Sequence, residues 1–301
     1  MQLLAEPRFG RFPFHRPPST VHRPRSTIHH LPSTIRPPLP ELPEVEAAAV
    51  VARRVLVGRV LASVTTHHAS QRRVLPPHAA RRMVSRRVVR VERHAKHQHI
   101  VLDDGAIVAV HFRMNGDWEL AHAHDPLPSY ARIVFATTDG MRLCLVDSRA
   151  LCTATYHAPG APPELALGPE PDALTAGALW DALARRTGSI KTVLLDQRVV
   201  AGLGNIYVAE ALWRARVHPA HRASALSGRQ VQALVRGIKA AIADGFARQG
   251  RYRAGLRDRP FRVYDREGSA CTRCRTKVER MTQAGRSTYW CPGCQGRRAG
   301  R

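Results

Sequence analysis

Long apolar runs are absent from this sequence of 301 residues. No stretch reaches the roughly 18 consecutive apolar residues typical of a transmembrane helix, so we expect no membrane partner. Residues 1–39 also lack the uninterrupted apolar core of a secretory signal peptide. With 44% apolar residues, the chain is expected to be globular and long enough for two domains, each with its own core.

Acidic residues and lysines are also scarce. The chain has 23 Asp and Glu against 47 Lys and Arg, which gives a formal net charge of +24. This excess favours a polyanionic partner such as nucleic acid, because each phosphate that a cation neutralises releases condensed counterions. A generic basic surface, a ribosome-associated protein and a membrane-surface protein are the alternatives. Only four of the cations are lysines, so each lysine is a candidate for a specific role.

The six cysteines include two Cys-x-x-Cys pairs, Cys271/Cys274 and Cys291/Cys294. In a chain without a signal peptide, such pairs indicate metal ligands and a reducing compartment, here expected to be the bacterial cytoplasm. Four thiolates complete the tetrahedral shell of one Zn²⁺ and leave no open position, so the predicted zinc is structural. A redox dithiol is the alternative interpretation.

Residues 1–39 differ from the rest of the chain. A seven-residue repeat begins at His15, His22 and His29; its prolines exclude a helix and its apolar positions form no heptad seam. We expect this segment to be disordered, or to be a spurious upstream extension that arises from a start codon placed too early. A genuine basic tail and an organellar transit peptide are the alternatives.

Hydrophobic periodicity divides the remaining residues into three parts. Apolar residues at three- to four-residue spacing predict a helix over residues 44–59, and six short β-like runs follow between residues 60 and 146. Asp-Gly pairs at 104–105 and 139–140 are typical of hairpin turns, which favours an antiparallel sandwich or barrel. A proline-rich linker, a helical stretch at 172–250 and a hairpin finger at 259–295 complete the chain. The predicted domains are therefore 40–162, 163–258 and 259–301.

Several motifs resemble a single enzyme family. Residues 40–44, Pro-Glu-Leu-Pro-Glu, are similar to the mature N-terminus of formamidopyrimidine-DNA glycosylases, and residues 285–295 are similar to their zinc finger. Residues 201–210 resemble the family's helix–two-turn–helix element, and the likeness extends from residue 40 to residue 295. It implies an α+β multidomain fold with an N-terminal antiparallel β-sandwich and flanking helix, a helix–two-turn–helix domain and a C-terminal β-hairpin zinc finger.

The resemblance implies catalytic roles for four residues. Pro40 matches the family's nucleophile, an amine that attacks only as a free N-terminus, because within a chain its nitrogen is a tertiary amide. Glu41 matches the acid/base that protonates the sugar ring oxygen, and Glu44 helps to order the site. Lys96, in an Arg-x-x-Lys element, matches a lysine near the lesion's phosphate. The alternative for Glu41 and Glu44 is a pair of carboxylates that the dipole of a helix start favours. The alternative for Lys96 is a solvated side chain at a strand entrance.

Implied DNA contacts form a second set of candidates: Met114, Arg149, Leu151, Lys191, Asn205 and Arg286. An unbranched, polarizable methionine suits the hole that a flipped base leaves in the stack. Leu151 stands where the family has an aromatic wedge, and residues 251–260 are shorter than the family's usual lid over oxidised purines. A core methionine, a solvated lysine and a solvated turn arginine are the alternatives for Met114, Lys191 and Arg286.

Together these motifs predict a monomeric, bifunctional DNA glycosylase and abasic-site lyase. It would flip and excise oxidised bases from damaged double-stranded DNA and then cleave the strand by β,δ-elimination. A non-catalytic zinc-ribbon protein that binds lesions is the alternative if residues 1–39 are retained. An enzyme for oxidised pyrimidines, like the endonuclease VIII branch, is a further alternative that the short 251–260 segment favours, whereas Leu42 favours the formamidopyrimidine branch.

Overall fold

The computed structural model describes residues 40–248 and 261–296. The disorder expected for residues 1–39 and the short segment at 251–260 lie outside these residues. A long helix, eight strands and two short helices form the first part of the described chain. They are α1 (Leu42–Leu56), β1 (Leu61–Thr66), α2 (Ala69–Val74), α3 (Pro77–Arg81), β2 (Val88–His94), β3 (His97–Leu102), β4 (Ile107–His111), β5 (Asp117–His122), β6 (Ala131–Thr137), β7 (Met141–Val146) and β8 (Thr153–His157).

The eight strands pair antiparallel into two four-stranded sheets, with strand orders β1-β6-β7-β5 and β2-β3-β4-β8. Side chains from both sheets, such as Ile100 and Phe135, share one apolar core, and Ala52 and Leu56 of α1 belong to the same core. Burial of these apolar surfaces is the main force that holds the two layers together. The predicted β-sandwich with a flanking helix is thereby confirmed.

The predicted hairpin turns lie between β3 and β4 and between β6 and β7. Gly105 and Gly140 have φ angles of +84° and +83°, a conformation that side chains with a Cβ rarely adopt. Six of the eight strands in the sandwich match the predicted runs. The structure adds β5 and β8 to the prediction, along with the short helices α2 and α3.

Four α-helices follow the linker: α4 (Ala176–Ala184), α5 (Ile190–Leu194), α6 (Asn205–Ala215) and α7 (Gly228–Ala247), with a short 3₁₀ helix (Ala223–Ala225) between the last two. Hydroxyls of Thr175, Ser189 and Ser227 cap three of them by accepting backbone N–H groups. Their apolar faces form a second core, to which Leu42 at the start of α1 also belongs. The first turn of α1 therefore joins the sandwich to the helical part.

The C-terminal finger is a two-stranded hairpin, β9 (Glu279–Gln283) and β10 (Arg286–Trp290), followed by the short helix α8 (Pro292–Gln295). Ala284 and Gly285 both have positive φ, as a two-residue type I′ turn requires. A small core joins the finger to α6 through Trp213, Val263 and Cys271. No helix within residues 40–248 or 261–296 is long and apolar enough to cross a membrane.

Candidate active site

The buried carboxylate of Glu41 lies at the N-terminus of α6. It accepts backbone N–H groups from Gly204 at 2.8 Å, Ile206 at 2.8 Å and Tyr207 at 3.3 Å. The first N–H groups of a helix have no partner within the helix and carry partial positive charge, so they bind an anion well. A residue at the start of α1 therefore caps a helix more than 160 positions away in the sequence.

Two glycines make this approach possible. A Cβ on Gly204 would lie 2.4 Å from Cδ of Glu41, and one on Gly202 would lie 2.2 Å from Cδ1 of Leu42. Gly202 also has a φ of +86°, and its carbonyl accepts the N–H of Leu42 at 3.1 Å. The Gly-Leu-Gly loop is thus built around the first residues of α1.

Glu44 lies beside Glu41 and holds it in place. One Glu44 oxygen accepts the backbone N–H of Glu41 at 2.9 Å, and the other accepts the Tyr207 hydroxyl at 2.7 Å. Burial and the neighbouring Glu41 raise the pKa of Glu44 to about 7. Burial also raises the pKa of Glu41, against the opposing effects of Lys96 and the three N–H donors. Both carboxyls therefore gain and lose a proton at a pH closer to neutral than ordinary glutamates do.

Lys96 reaches the same loop from the β2–β3 turn. Its Nζ donates to the carbonyl of Leu203 at 2.6 Å. Burial lowers the pKa of Lys96, Glu41 opposes that shift, and Arg286 adds to it. The turn is secured by Arg93, whose guanidinium pairs with Glu46 at 2.8 Å and Glu170 at 2.8 Å. The Arg-x-x-Lys element thereby fixes the lysine against the start of α6.

Pro40 is half-buried and directly precedes Glu41. The four residues predicted to be catalytic, Pro40, Glu41, Glu44 and Lys96, are therefore gathered at one place, between α1, the β2–β3 turn and α6. Their catalytic roles stay predictions; the structure contributes the proximity of the four residues and the burial and shifted pKa of Glu41, Glu44 and Lys96.

Two adjacent loops of the sandwich present the predicted void-filling residues. Met114 and Leu151 are exposed to 38% and 43%, which is high for large apolar side chains. Nη1 of Arg149 lies 3.5 Å from Sδ of Met114, so the two loops touch through this pair. A core position, the alternative considered for Met114, does not fit its exposure.

Buried Asp147 shapes the second of these loops. Its carboxylate accepts N–H groups from Arg149 at 2.9 Å, Leu151 at 2.7 Å and Cys152 at 2.7 Å. Sequence reasoning gave Asp147 no role, although an aspartate that opens a loop commonly binds backbone N–H groups just after it.

The remaining predicted DNA contacts surround the finger hairpin. Nδ2 of Asn205 donates to the carbonyl of Ser287 at 2.9 Å, and Nζ of Lys191 donates to Oγ1 of Thr288 at 2.5 Å. Lys191 is fully buried, and burial together with Arg286 lowers its pKa to about 8. Arg286 itself is exposed at the hairpin turn. Lys191 thus binds the finger here, and its contact with phosphate stays a prediction.

The four paired cysteines form the metal site. Their sulfur atoms lie within 4.8 Å of one another, with 3.8 Å between Cys271 and Cys294 and 3.4 Å between Cys274 and Cys291. Four sulfurs about 2.3 Å from one tetrahedral Zn²⁺ are about 3.8 Å apart, so the set fits the ion. The site is a structural zinc site, as the sequence predicted.

Three family models match the chain in order. They are the formamidopyrimidine-DNA glycosylase N-terminal domain over residues 39–154, the H2TH domain of the same enzymes over 165–253, and the zinc finger found in FPG and IleRS over 268–296. The formamidopyrimidine-DNA glycosylase of Phenylobacterium zucineum is 38% identical over 85% of this chain and 100% of its own. That of Geobacillus kaustophilus is 35% identical with the same coverage. The chain belongs to the formamidopyrimidine-DNA glycosylase family.

Solved structures agree with this assignment. A complex of Lactococcus lactis Fpg with DNA containing an abasic site is 25% identical, with a TM-score of 0.77 over 86% of this chain and 100% of that one. A MutM complex with DNA containing carbocyclic 8-oxo-G is 27% identical, with a TM-score of 0.78 and the same coverage. The family assignment makes this protein a DNA glycosylase. Its site also includes Tyr207, which lies within the 201–210 motif but whose hydroxyl had no predicted role.

Proposed function

We propose that this glycosylase excises oxidised bases, purines in particular, from duplex DNA and cleaves the resulting abasic strand through the amine of Pro40. The observation that carries the proposal is the position of Pro40 beside a buried Glu41 that is anchored on α6, with the ammonium of Lys96 bound to the same loop. The structural relatives that bind abasic or 8-oxo-G DNA support the choice of substrate.

The proposed reaction starts at the sugar. The lone pair of the Pro40 nitrogen forms a bond to C1′ while the bond from C1′ to the base breaks, and the base leaves with that electron pair and takes up a proton. The nitrogen then loses its own proton and the sugar ring opens, so that a cationic iminium joins Pro40 to C1′. The iminium acidifies the 2′ hydrogen; loss of that proton expels the 3′ phosphate, and a second elimination expels the 5′ phosphate.

Glu41 supplies the proton that the ring oxygen takes up as the sugar opens. Burial raises its pKa, which favours the protonated acid, and the N–H groups of α6 stabilise the carboxylate that remains after transfer. Glu44, through its bond to the backbone N–H of Glu41, positions the residue between Pro40 and α1. Lys96 contributes a positive charge for the phosphate next to the damaged nucleotide.

Base flipping requires side chains that fill the vacated space. Met114 and Leu151 are exposed, apolar and carried on loops that contact each other. Arg149, which touches Met114, offers a planar guanidinium to the base left without a partner. Arg286 at the finger turn and Asn205 at the start of α6 are proposed to hold the DNA backbone.

Pro40 attacks only when its nitrogen is an amine, so the decisive experiment compares two proteins. One begins at Pro40, and the other is the 301-residue chain, in which the same nitrogen is an amide. Borohydride reduces an iminium to a stable amine, so we expect a covalent adduct with abasic duplex DNA from the first protein and none from the second. The full chain is a matched control, because every other site residue is the same.

A protein beginning at Pro40 that binds abasic DNA without forming an adduct would contradict the lyase and support the non-catalytic alternative. Excision assays on matched duplexes then test the substrate. We expect release of 8-oxoguanine to exceed that of thymine glycol, and the reverse order would favour the endonuclease VIII-like alternative.

A further inference from the structure

Trp213, near the end of α6, makes a bond that the proposed function does not use. Its side chain is buried, with 6% of its surface exposed. The indole Nε1–H donates to Sγ of Cys271, with a nitrogen–sulfur distance of 3.4 Å. A helix of the DNA-binding domain thus contacts one of the zinc ligands directly.

Arg273 fixes the indole from its other side. Its guanidinium lies 4.0 Å from the centre of the Trp213 ring, and its Nη1 donates to the backbone carbonyl of Trp213 at 3.2 Å. The backbone N–H of Arg273 also donates to Sγ of Cys271 at 3.4 Å. Cys271 therefore accepts N–H groups from its own knuckle and also from α6, and the stacked cation holds the indole in the donating position.

We propose that Trp213 is a positioning residue of the zinc site, which stabilises the Cys271 thiolate through its indole N–H and so increases the affinity for zinc. Hydrogen bonds to metal ligands orient them and tune their electron density, and their loss typically weakens metal binding by about 10- to 100-fold. The bond also makes zinc binding part of the attachment between the finger and α6. At its other end, α6 carries the N–H groups that bind Glu41.

Trp213→Phe tests the proposal, because phenylalanine keeps a buried aromatic ring beside Arg273 and removes the indole donor together with part of the ring volume; the metal-spectroscopic readouts report on the donor itself. We expect the zinc dissociation constant, measured by competition with a chromogenic chelator in the absence of DNA, to rise by about 10-fold or more. In the Co²⁺-substituted protein, the thiolate-to-cobalt charge-transfer band should move to longer wavelength, because the sulfur loses a hydrogen bond. Trp180→Phe is the matched control, since the Trp180 side chain is 46% exposed on α4.

The wild-type protein provides a second test that needs no folded variant. After substitution with ¹¹³Cd, the indole proton of Trp213 should show a scalar coupling to the metal across the N–H···S bond, and that of Trp180 should not. Absence of this coupling would overturn the proposal. So would a Trp213→Phe protein whose zinc affinity and cobalt spectrum equal those of the wild type.

Discussion

Gly204 is a single residue on which the geometry of the proposed acid depends. A methyl group there would lie 2.4 Å from Cδ and 2.5 Å from Oε1 of Glu41, so Gly204→Ala must displace the carboxylate from the N-terminus of α6. We expect single-turnover cleavage of abasic DNA to fall by about 100-fold, an effect comparable to that of losing a general acid, while DNA affinity changes little. Gly177→Ala is the control, because its new methyl group meets nothing within 4 Å. A Gly204→Ala enzyme with wild-type cleavage would contradict the role given to Glu41.

Tyr207 is a second single residue that affects a site carboxyl, because its hydroxyl donates a hydrogen bond to Glu44. A glutamate whose pKa rises from 4.5 to about 7 on folding destabilises the fold progressively as pH rises from 4.5 to 7. Tyr207→Phe removes a donor and should extend that loss above pH 7. Loss of a hydrogen bond to a neutral carboxyl costs about 1 kcal/mol, and to an ionised one about 2 kcal/mol. Urea unfolding should therefore show a larger deficit at pH 9 than at pH 6.

Tyr130→Phe serves as the control for this measurement, since Tyr130 is 60% exposed on the sandwich. Its unfolding free energy should match that of the wild type at both pH values. A Tyr207→Phe deficit that is independent of pH would indicate that the hydroxyl contributes packing alone, without affecting the ionisation of Glu44.

At the scale of elements, the outer face of the β2-β3-β4-β8 sheet is crowded with histidines. The rings of His94 and His99 are 4.4 Å apart, and those of His97 and His111 are 4.6 Å apart. Burial and neighbouring cationic groups lower the pKa of His99 to about 4 and that of His111 to about 3. Since the unfolded chain protonates these rings near pH 6.5, the sheet should lose stability as pH falls below that value.

His99→Gln tests this expectation, because glutamine stays neutral at every pH used. For a pKa that falls from 6.5 to about 4 on folding, linkage gives about 2 kcal/mol of lost stability at pH 5. The wild type should therefore lose about 2 kcal/mol more than the variant between pH 8 and pH 5, as measured by urea unfolding. Equal losses in the two proteins would show that His99 titrates normally in the folded state.

The helices and strands also differ in how far the sequence could predict them. Strands with Val-rich runs, such as β2 and β4, are apparent from composition, and the Asp-Gly turn before β4 adds to the signal for that strand. The two missed strands, β5 (Asp117–His122) and β8 (Thr153–His157), contain no valine or isoleucine and are only partly buried, so five or six residues gave too weak a strand signal. The helices α2 and α3 have six and five residues, which is too short for periodicity to appear.

Site residues that belong to sequence motifs could be predicted, whereas contacts between residues far apart in the sequence could not. Residues 40–44 indicated both glutamates, and the cysteine spacing indicated the zinc. Nothing in the sequence indicates that Glu41 caps α6, that Lys191 is buried beneath β10, or that Trp213 donates to Cys271, because each of these contacts joins residues at least 58 positions apart. Such pairs depend on how the domains dock, which local patterns do not specify.

At the scale of the whole molecule, one cation of a chain with a net charge of +24, Arg286, is brought close to the site by the finger. Burial is the largest cause that lowers the pKa of Lys96 and of Lys191, and the charge of Arg286 lowers both further. The three cations are therefore within electrostatic reach of one another. Such a group repels itself in the free protein, and a bound phosphate relieves that repulsion. The finger therefore contributes to the positive potential at the residues proposed to be catalytic, as well as to the surface on which DNA is proposed to lie.

Arg286→Ala should accordingly change how DNA binding depends on salt. The logarithm of the association constant falls linearly with the logarithm of salt concentration, with a slope set by the number of phosphates contacted. Losing one phosphate contact should reduce the magnitude of that slope by about 1, measured by fluorescence anisotropy with a duplex carrying an abasic-site analogue. Arg54→Ala is the charge-matched control, because Arg54 is exposed near the end of α1, about 18 Å along the helix from Leu42. Its slope should equal that of the wild type, and an Arg286→Ala slope that also does so would remove Arg286 from the DNA-binding surface.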